Sequence, residues 1–80
     1  MKIRFYGKLR EEIGGEIDLD PSARPDTVAE LRIVLAKLFP NAAEDLGGRS
    51  RACIADYMIS EDHCLAGVAT VEFFPPLSGG

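Results

Sequence analysis

The sequence ends in two glycines, Gly79 and Gly80, and these are the residues whose types and position favour chemistry. They follow the segment "PPLS", whose two prolines favour an extended backbone that rises about 3.1 Å per residue. Glycine has no side chain, so the pair can enter a channel too narrow for other residues. Such a tail can deliver one chemical group, the α-carboxylate of Gly80.

A carboxylate is a poor electrophile until it is joined to a better leaving group such as AMP, which a sulfur or amine nucleophile then displaces. We therefore predict that Gly80 is the site of covalent chemistry. Gly79, Ser78 and Leu77 are predicted to enter a partner's channel, with Leu77 anchored in a groove. The alternative is a chain end that never reacts, because termini are often disordered and glycine is frequent in them.

The other residues with reactive or metal-binding side chains give weaker signals. Cys53 and Cys64 form no CxxC pair, whereas a zinc site or an iron–sulfur cluster needs about four ligands. We therefore expect two reduced thiols, no metal site and no ferredoxin. His63 precedes Cys64, and adjacent residues of an extended segment point to opposite faces, which argues against a nucleophile–base pair. No Gly-rich phosphate loop is present, so a partner must bind any ATP.

The composition narrows the class of partner. The chain has 80 residues and a net charge of -4. This sign argues against nucleic acid, whose binding depends on neutralising phosphates, and favours a basic protein surface. The sequence has no run of about 18 apolar residues, and "MKIRFYGKLR" lacks the continuous apolar run of a signal peptide. We expect one small domain in the cytoplasm, with neither a membrane nor a nucleic acid as its partner.

The hydrophobic pattern predicts the elements that must position the tail. Period-two alternation predicts strands over 1–6, 16–20 and 69–74, and the first two are expected to pair as an antiparallel hairpin. A short helical turn closed by Gly14-Gly15 is predicted between them. The connection over 41–50 is predicted to turn at Gly47-Gly48, although "AAEDL" could form a helical turn of its own. Two short strands are predicted in "ACIAD" and "YMIS".

Apolar residues at helical spacing predict one main helix in "TVAELRIVLAKLF", ended before Pro40. Thr27 and Glu30 have the spacing of a capping box, with Asp26 as the competing N-cap. The residues predicted to face the core are Val28, Leu31, Val34, Leu35 and Leu38.

The order strand, strand, helix, short strands, strand favours an α+β fold in which the first strand neighbours the last and one main helix packs across a mixed sheet. The ubiquitin-like β-grasp is the most economical arrangement of this kind. We predict a β-grasp domain over 1–74 and an extended, flexible C-terminal tail over 75–80. Phe73 is predicted to be core. Phe74 points to the opposite face and is predicted, with Pro75 and Pro76, to bind a partner.

The ending "FFPPLSGG" resembles that of the small, sulfur-carrying subunit of molybdopterin synthase. The similarity extends to "KIRFYGKLREEIG" at the first strand and turn, to "TVAELRIVLAKLFP" at the helix, and to "ISEDHCLAGVATVEFFPPLSGG" in the last third. Two turns depart from the family's pattern. Gly67 is followed by Val68 where the family tends to have Gly-Asp, and Ala55-Asp56 stands where it often has Asn.

The resemblance implies that Gly80 is adenylated by an ATP-dependent enzyme similar to the ubiquitin-activating family and is then converted to a thiocarboxylate. The sulfur would pass to a cyclic pyranopterin precursor in the large synthase subunit, in molybdenum cofactor biosynthesis. The protein would bind no cofactor, would have no complete active site of its own, and would form a heterotetramer with that large subunit.

Other recipients of the activated tail stay open at this point. They are the thiamine thiazole pathway, a tungsten cofactor, tRNA thiolation and ubiquitin-like attachment to lysines. The alternative from a different functional class is a β-grasp interaction module whose tail never reacts. That alternative predicts that deletion of Gly80 leaves function intact.

Overall fold

The computed structural model of the chain describes residues 1–20, 22 and 25–76. Within them lie two α-helices and five strands: β1 (Lys2–Phe5), α1 (Lys8–Ile13), β2 (Glu16–Asp18), α2 (Val28–Leu38), β3 (Arg51–Ile54), β4 (Tyr57–Met58) and β5 (Thr70–Phe74). A 3-10 turn, Pro40–Ala42, and a π-helical turn, Asp45–Arg49, lie between α2 and β3.

The strands form one mixed sheet in the order β2-β1-β5-β3-β4. β1 runs antiparallel to β2 and parallel to β5, so that Ile3 lies opposite both Ile17 and Val71. On the other side of β5, β3 runs antiparallel to it, and β4 folds back on β3. The predicted hairpin and the predicted pairing of the first strand with the last are both confirmed.

One face of the sheet packs against α2 and carries the core. Alternation along β1 and β5 places Ile3, Phe5, Val71 and Phe73 on this face, and all four are fully buried. A strand with one covered face buries every second side chain in this way. The prediction that Phe73 is a core residue is confirmed, as is the α+β arrangement of one main helix across a mixed sheet.

Helix α2 begins where the sequence predicts. Thr27 is the N-cap, and its hydroxyl accepts a hydrogen bond from the backbone N–H of Glu30 at 3.3 Å. The Glu30 carboxylate accepts a hydrogen bond from the backbone N–H of Asp26 at 2.8 Å, one residue earlier than in a regular capping box. Asp26 is therefore not the N-cap, since only its backbone takes part.

The core-facing side of α2 differs from the prediction near its end. Leu38 is 55% exposed, and Val34 is only half-buried. The helix stops at Leu38, and the next residue, Phe39, packs against the core in its place. Arg32 is buried, which the apolar pattern did not predict. The fully buried apolar residues of α2 are Val28, Leu31 and Leu35.

The connection between α2 and β3 is helical over Asp45–Arg49, so Gly47 and Gly48 lie within a helical turn. This agrees better with the alternative of a helical turn, although the turn lies later in the chain than "AAEDL". The physical reason is Leu46, which this helical turn directs into the core with no exposure. β3 and β4 are joined by Ala55 and Asp56, whose φ angles are 50° and 70°. Positive φ at both central residues produces the twist that a two-residue hairpin needs.

The helices are short, with 6 residues in α1 and 11 in α2. A membrane-spanning helix needs about 20 residues. In the part of the chain that the structure describes, no helix is long and apolar enough to cross a membrane.

Candidate functional site

Strand β5 leads to the predicted site and ends at Phe74. We call Phe74, Pro75 and Pro76 the tail root. Phe74 is half-buried, and the two prolines are exposed. The tail residues that lie outside the described part of the chain are Leu77, Ser78, Gly79 and Gly80. The predicted boundary between domain and tail falls where β5 ends, and the assignment of 75–80 as a tail stays a prediction.

Phe74 lies on the sheet face opposite α2, and its ring stacks on Tyr6. The ring centroids are 4.4 Å apart, and the planes are 3° from parallel. The Tyr6 hydroxyl donates a hydrogen bond of 2.6 Å to the carboxylate of Glu72. This bond is the main reason why the pKa of the Tyr6 phenol is raised above its usual value. The tail root therefore begins on an aromatic support rather than as a free strand end.

Gly7, directly after Tyr6, lies against Pro75. Its φ is +65°, which side chains rarely allow, and a Cβ built on it would lie 3.0 Å from Cγ and 3.3 Å from Cδ of Pro75. Separations this short are tighter than ordinary van der Waals contact, so a Cβ here would require the proline ring to shift by a few tenths of an ångström. Glycine therefore suits both the backbone angle at this position and the close approach of the tail root.

On the other side, Arg51 holds the tail root. It lies opposite Phe74 in the pairing of β3 with β5. Its Nε donates a hydrogen bond of 3.2 Å to the carbonyl oxygen of Pro75. The tail root thus has neighbours on both sides of β5, with Tyr6 and Gly7 just after β1 and Arg51 on β3.

Next to the tail root lies a cavity of about 210 Å³, lined by Lys8, Leu9, Asp45, Ser50, Pro75 and Pro76. The ammonium of Lys8 is 3.4 Å from the carboxylate of Asp45. Loss of hydration, together with a hydrogen bond to Asp45 and repulsion from it, raises the pKa of the Glu12 carboxyl. The surface beside the tail root therefore carries one cation and two closely spaced carboxylates.

Arg32 holds the chain beneath this cavity. Its guanidinium is buried, and it donates hydrogen bonds to the hydroxyl and the carbonyl oxygen of Ser50, each at 2.8 Å, and to the carbonyl oxygen of Leu46. A fourth bond, of 2.8 Å, joins Nε to the exposed carboxylate of Glu61. The guanidinium carbon also lies 5.3 Å from the centre of the Phe73 ring. Arg32 therefore connects α2 with the start of β3 and with β5.

The cysteines and the histidine do not combine into a reactive centre. Cys53 is a buried free thiol on β3, and loss of hydration raises its pKa. Cys64 is an exposed free thiol whose backbone bridges to Thr27 at the start of α2. His63 is exposed and lies in the turn that starts at Ser60. Over 1–20, 22 and 25–76, no group of three or more His, Cys, Asp or Glu side chains could hold a metal ion.

Three residues beside the tail root, Gly7, Tyr6 and Arg51, were not predicted from the sequence to belong to the site. Gly7 carried a usable signal, because a lone glycine between a strand and a helix often has a special backbone angle. Arg51 carried none, since an arginine at the start of a strand is common on protein surfaces. Pairing with β5 brings all three to the tail root, and that depends on the sheet order.

The overall structure is similar to SAMP1 from Haloferax volcanii. The likeness has a TM-score of 0.69 and covers 99% of this chain and 97% of that chain, with 20% sequence identity. No protein-family model matches the sequence, and no curated protein matches it either. At this identity the likeness shows the fold alone. The chain has the ubiquitin-like β-grasp fold that its sequence predicts.

Proposed function

We propose that this protein is the sulfur-carrying small subunit of a molybdopterin synthase. The observation that carries the proposal is the way in which β5, a central strand of a ubiquitin-like sheet, leads into an exposed and anchored Pro75-Pro76. The sequence "LSGG" follows these prolines. A rigid domain that projects a narrow tail is suited to deliver a carboxylate into the active site of another protein.

The chemistry is assigned to the carboxylate of Gly80. A partner enzyme similar to the ubiquitin-activating family joins this carboxylate to the α-phosphorus of ATP, and pyrophosphate leaves. A sulfide-level sulfur then attacks the acyl carbon, and AMP leaves with its pair of electrons. The product is a thiocarboxylate, in which one oxygen of Gly80 has been replaced by sulfur.

The large synthase subunit supplies the acid–base groups and the pocket for the pyranopterin precursor in this proposal. Sulfur passes from Gly80 to the precursor, and water returns an oxygen to the carboxylate. The carrier itself holds no cofactor, and ATP is bound by the activating enzyme. Two carriers and two large subunits form the proposed heterotetramer, and the pathway runs in the cytoplasm.

The tail root is proposed as part of the contact with both partners. The exposed Pro75 and Pro76 have no backbone N–H, so a partner can surround them without leaving a buried donor unpaired. Phe74 offers an aromatic surface already fixed by Tyr6. Leu77, Ser78 and Gly79 would then follow into the partner's channel.

The test is the intact mass of the full chain, purified without a C-terminal tag, after incubation with ATP, the activating enzyme of the same organism and sulfide. A thiocarboxylate adds about 16 Da, whereas a persulfide on Cys53 or Cys64 adds about 32 Da. We expect the smaller gain, in the wild type and in a variant with both cysteines changed to serine. Deletion of Gly80 should abolish it.

Identification of the acceptor needs a second step. The thiocarboxylated protein is mixed with the large synthase subunit and the pyranopterin precursor, and the loss of about 16 Da from the carrier is followed by mass spectrometry. If the carrier keeps its sulfur in this mixture but transfers it to an enzyme of thiazole synthesis, tRNA thiolation or tungsten-cofactor synthesis, the protein belongs to that other pathway. No mass gain with active partners would favour the interaction module.

A further inference from the structure

We propose that Gly7 and Arg51 are positioning residues for the carrier reaction: they fix the direction in which the backbone leaves the sheet at the tail root. The inference rests on the proposed function, because a fixed direction matters only if the tail must reach a distant active site. It is carried by two features that converge on Pro75 from opposite sides: the close approach of Gly7, just after β1, and the hydrogen bond from Arg51 on β3.

Pro75 and Pro76 cannot be held as an ordinary strand is held. Neither has a backbone N–H, so neither can donate to a neighbouring strand, and the regular sheet pairing ends at Phe74. The carbonyl oxygen of Pro75 remains as an acceptor. Arg51 donates to it through Nε at 3.2 Å, which replaces the missing sheet contact with one from a side chain.

Gly7 acts by leaving room for the proline ring. A Cβ at this position would lie 3.0 Å from Cγ of Pro75, so a larger residue requires the ring to shift by a few tenths of an ångström. Other glycines in the described part of the chain differ in this respect. Gly14 and Gly67 also have positive φ angles, +125° and +77°, but a Cβ on either would meet no atom within 4 Å. Gly7 therefore combines the strained backbone angle with a contact that sets the path of the tail root.

The direction at Pro76 matters because it is amplified along the tail. Four residues beyond it span at most about 14 Å, so a change of about 30° at the root moves the end by roughly 7 Å. Misplacement of a reacting group by about 1 Å can cost a factor of about 100 in rate. Because the tail root is held from two sides, the carboxylate of Gly80 samples a smaller range of positions.

Two pairs of variants separate positioning from stability and from charge. Gly7→Ala is matched by Gly67→Ala, which has a similar φ and an equal change of side chain but no contact with Pro75. Arg51→Met is matched by Arg51→Gln. The glutamine Nε2 is the same number of bonds from the backbone as Nε of arginine, so this variant keeps a donor and loses the charge, whereas methionine loses both.

The first readout needs no partner: the 15N relaxation of the Leu77 amide, the first N–H beyond the two prolines, in the full chain. We expect the order parameter of Leu77 to fall by about 0.1 or more in Arg51→Met and in Gly7→Ala. It should stay near the wild-type value in Gly67→Ala and be largely restored in Arg51→Gln. Equal order parameters in all five proteins would overturn the positioning inference.

The second readout is pyrophosphate release with ATP and the activating enzyme of the same organism, on variants shown to be folded by circular dichroism. We expect kcat/KM to fall roughly fivefold in Arg51→Met, the size expected for one hydrogen bond, and at least about tenfold in Gly7→Ala. If kcat/KM falls as much in Arg51→Gln as in Arg51→Met, the effect is due to charge. If it falls as much in Gly67→Ala as in Gly7→Ala, the effect is due to stability. Either result contradicts the inference. If the wild type releases no pyrophosphate, the proposed function fails, and the relaxation data still decide whether the two residues order the root.

Discussion

Arg32 donates two hydrogen bonds to Ser50, one to its hydroxyl and one to its carbonyl oxygen, each at 2.8 Å. The fork of the guanidinium suits this geometry, which a lysine cannot reproduce. Ser50 is buried, so water cannot replace the bonds when they are lost. The pair holds the start of β3, and hence Arg51, in place beside the tail root.

Arg32→Met should lower the free energy of unfolding by about 3 kcal/mol, because it leaves two buried polar groups of Ser50 without a donor. Glu61→Gln should cost less than about 1 kcal/mol, since the Glu61 carboxylate is exposed and water screens its ion pair with Arg32. Urea unfolding followed by circular dichroism measures both. Equal costs would assign the stabilisation to the ion pair rather than to the contacts with Ser50.

The stack of Phe74 on Tyr6 should appear as a coupling free energy. A double-mutant cycle of Tyr6→Ala and Phe74→Ala, measured by urea unfolding, should give a coupling of about 0.5–1.5 kcal/mol, the usual value for an aromatic pair. A second cycle of Tyr57→Ala with Phe74→Ala is the control, because Tyr57 is 77% exposed on β4. Coupling of equal size in both cycles would mean that direct ring contact is not its source.

The hydrogen bond from Tyr6 to Glu72 should make stability depend on pH in the alkaline range. The folded protein holds the phenol proton more tightly than the unfolded chain does, because the pKa of Tyr6 is raised from 10.0. This contribution is complete below the unfolded pKa and is lost as the pH rises through the folded one.

Urea unfolding of the wild type and of Tyr6→Phe at about pH 8 and about pH 11 tests this sign. The wild type should lose more stability than the variant between the two conditions, since other titrating groups are common to both proteins. A larger loss in Tyr6→Phe would reverse the assigned sign.

The two cysteines should differ in reactivity. Iodoacetamide near pH 8 should alkylate the exposed Cys64 at least about ten times faster than Cys53, which is buried and has a raised pKa. Peptide mass spectrometry of a time course reports each rate, and in urea the two rates should converge. Rapid labelling of Cys53 in the folded protein would show that β3 opens readily.

The main features of the fold could be predicted from the sequence because the pattern there is strong. Alternation in β1 and β5 marks one buried face, and Thr27 marks the start of α2. The turn at Ala55-Asp56 could not be predicted, since alanine seldom adopts a positive φ and only the pairing of β3 with β4 imposes it here. The burial of Arg32 was also missed, because a charged residue is buried only where partners exist, and its partners come from distant parts of the chain.

The candidate site was predicted from a different kind of signal. Its chemistry was predicted from the types of residue at the end of the sequence, which need no tertiary structure to be recognised. The residues that support the tail root were not predicted, because Gly7 and Arg51 come close to Pro75 only after β1 and β3 have paired with β5. The hydrogen bond of 3.2 Å from Arg51 to the carbonyl oxygen of Pro75 cannot be predicted from the amino-acid pattern.

The parallel pairing of β1 with β5 has a consequence for synthesis on the ribosome. Tyr6 and Glu72 are 66 positions apart. At about 5–20 residues per second, β5 is therefore synthesised roughly 3 to 13 s after β1. Contacts between such distant residues also make folding slow relative to a helical bundle. The tail root therefore forms only when β5 has been synthesised and the sheet has closed around it, so a partner that recognises the root would bind folded molecules and not unfolded ones.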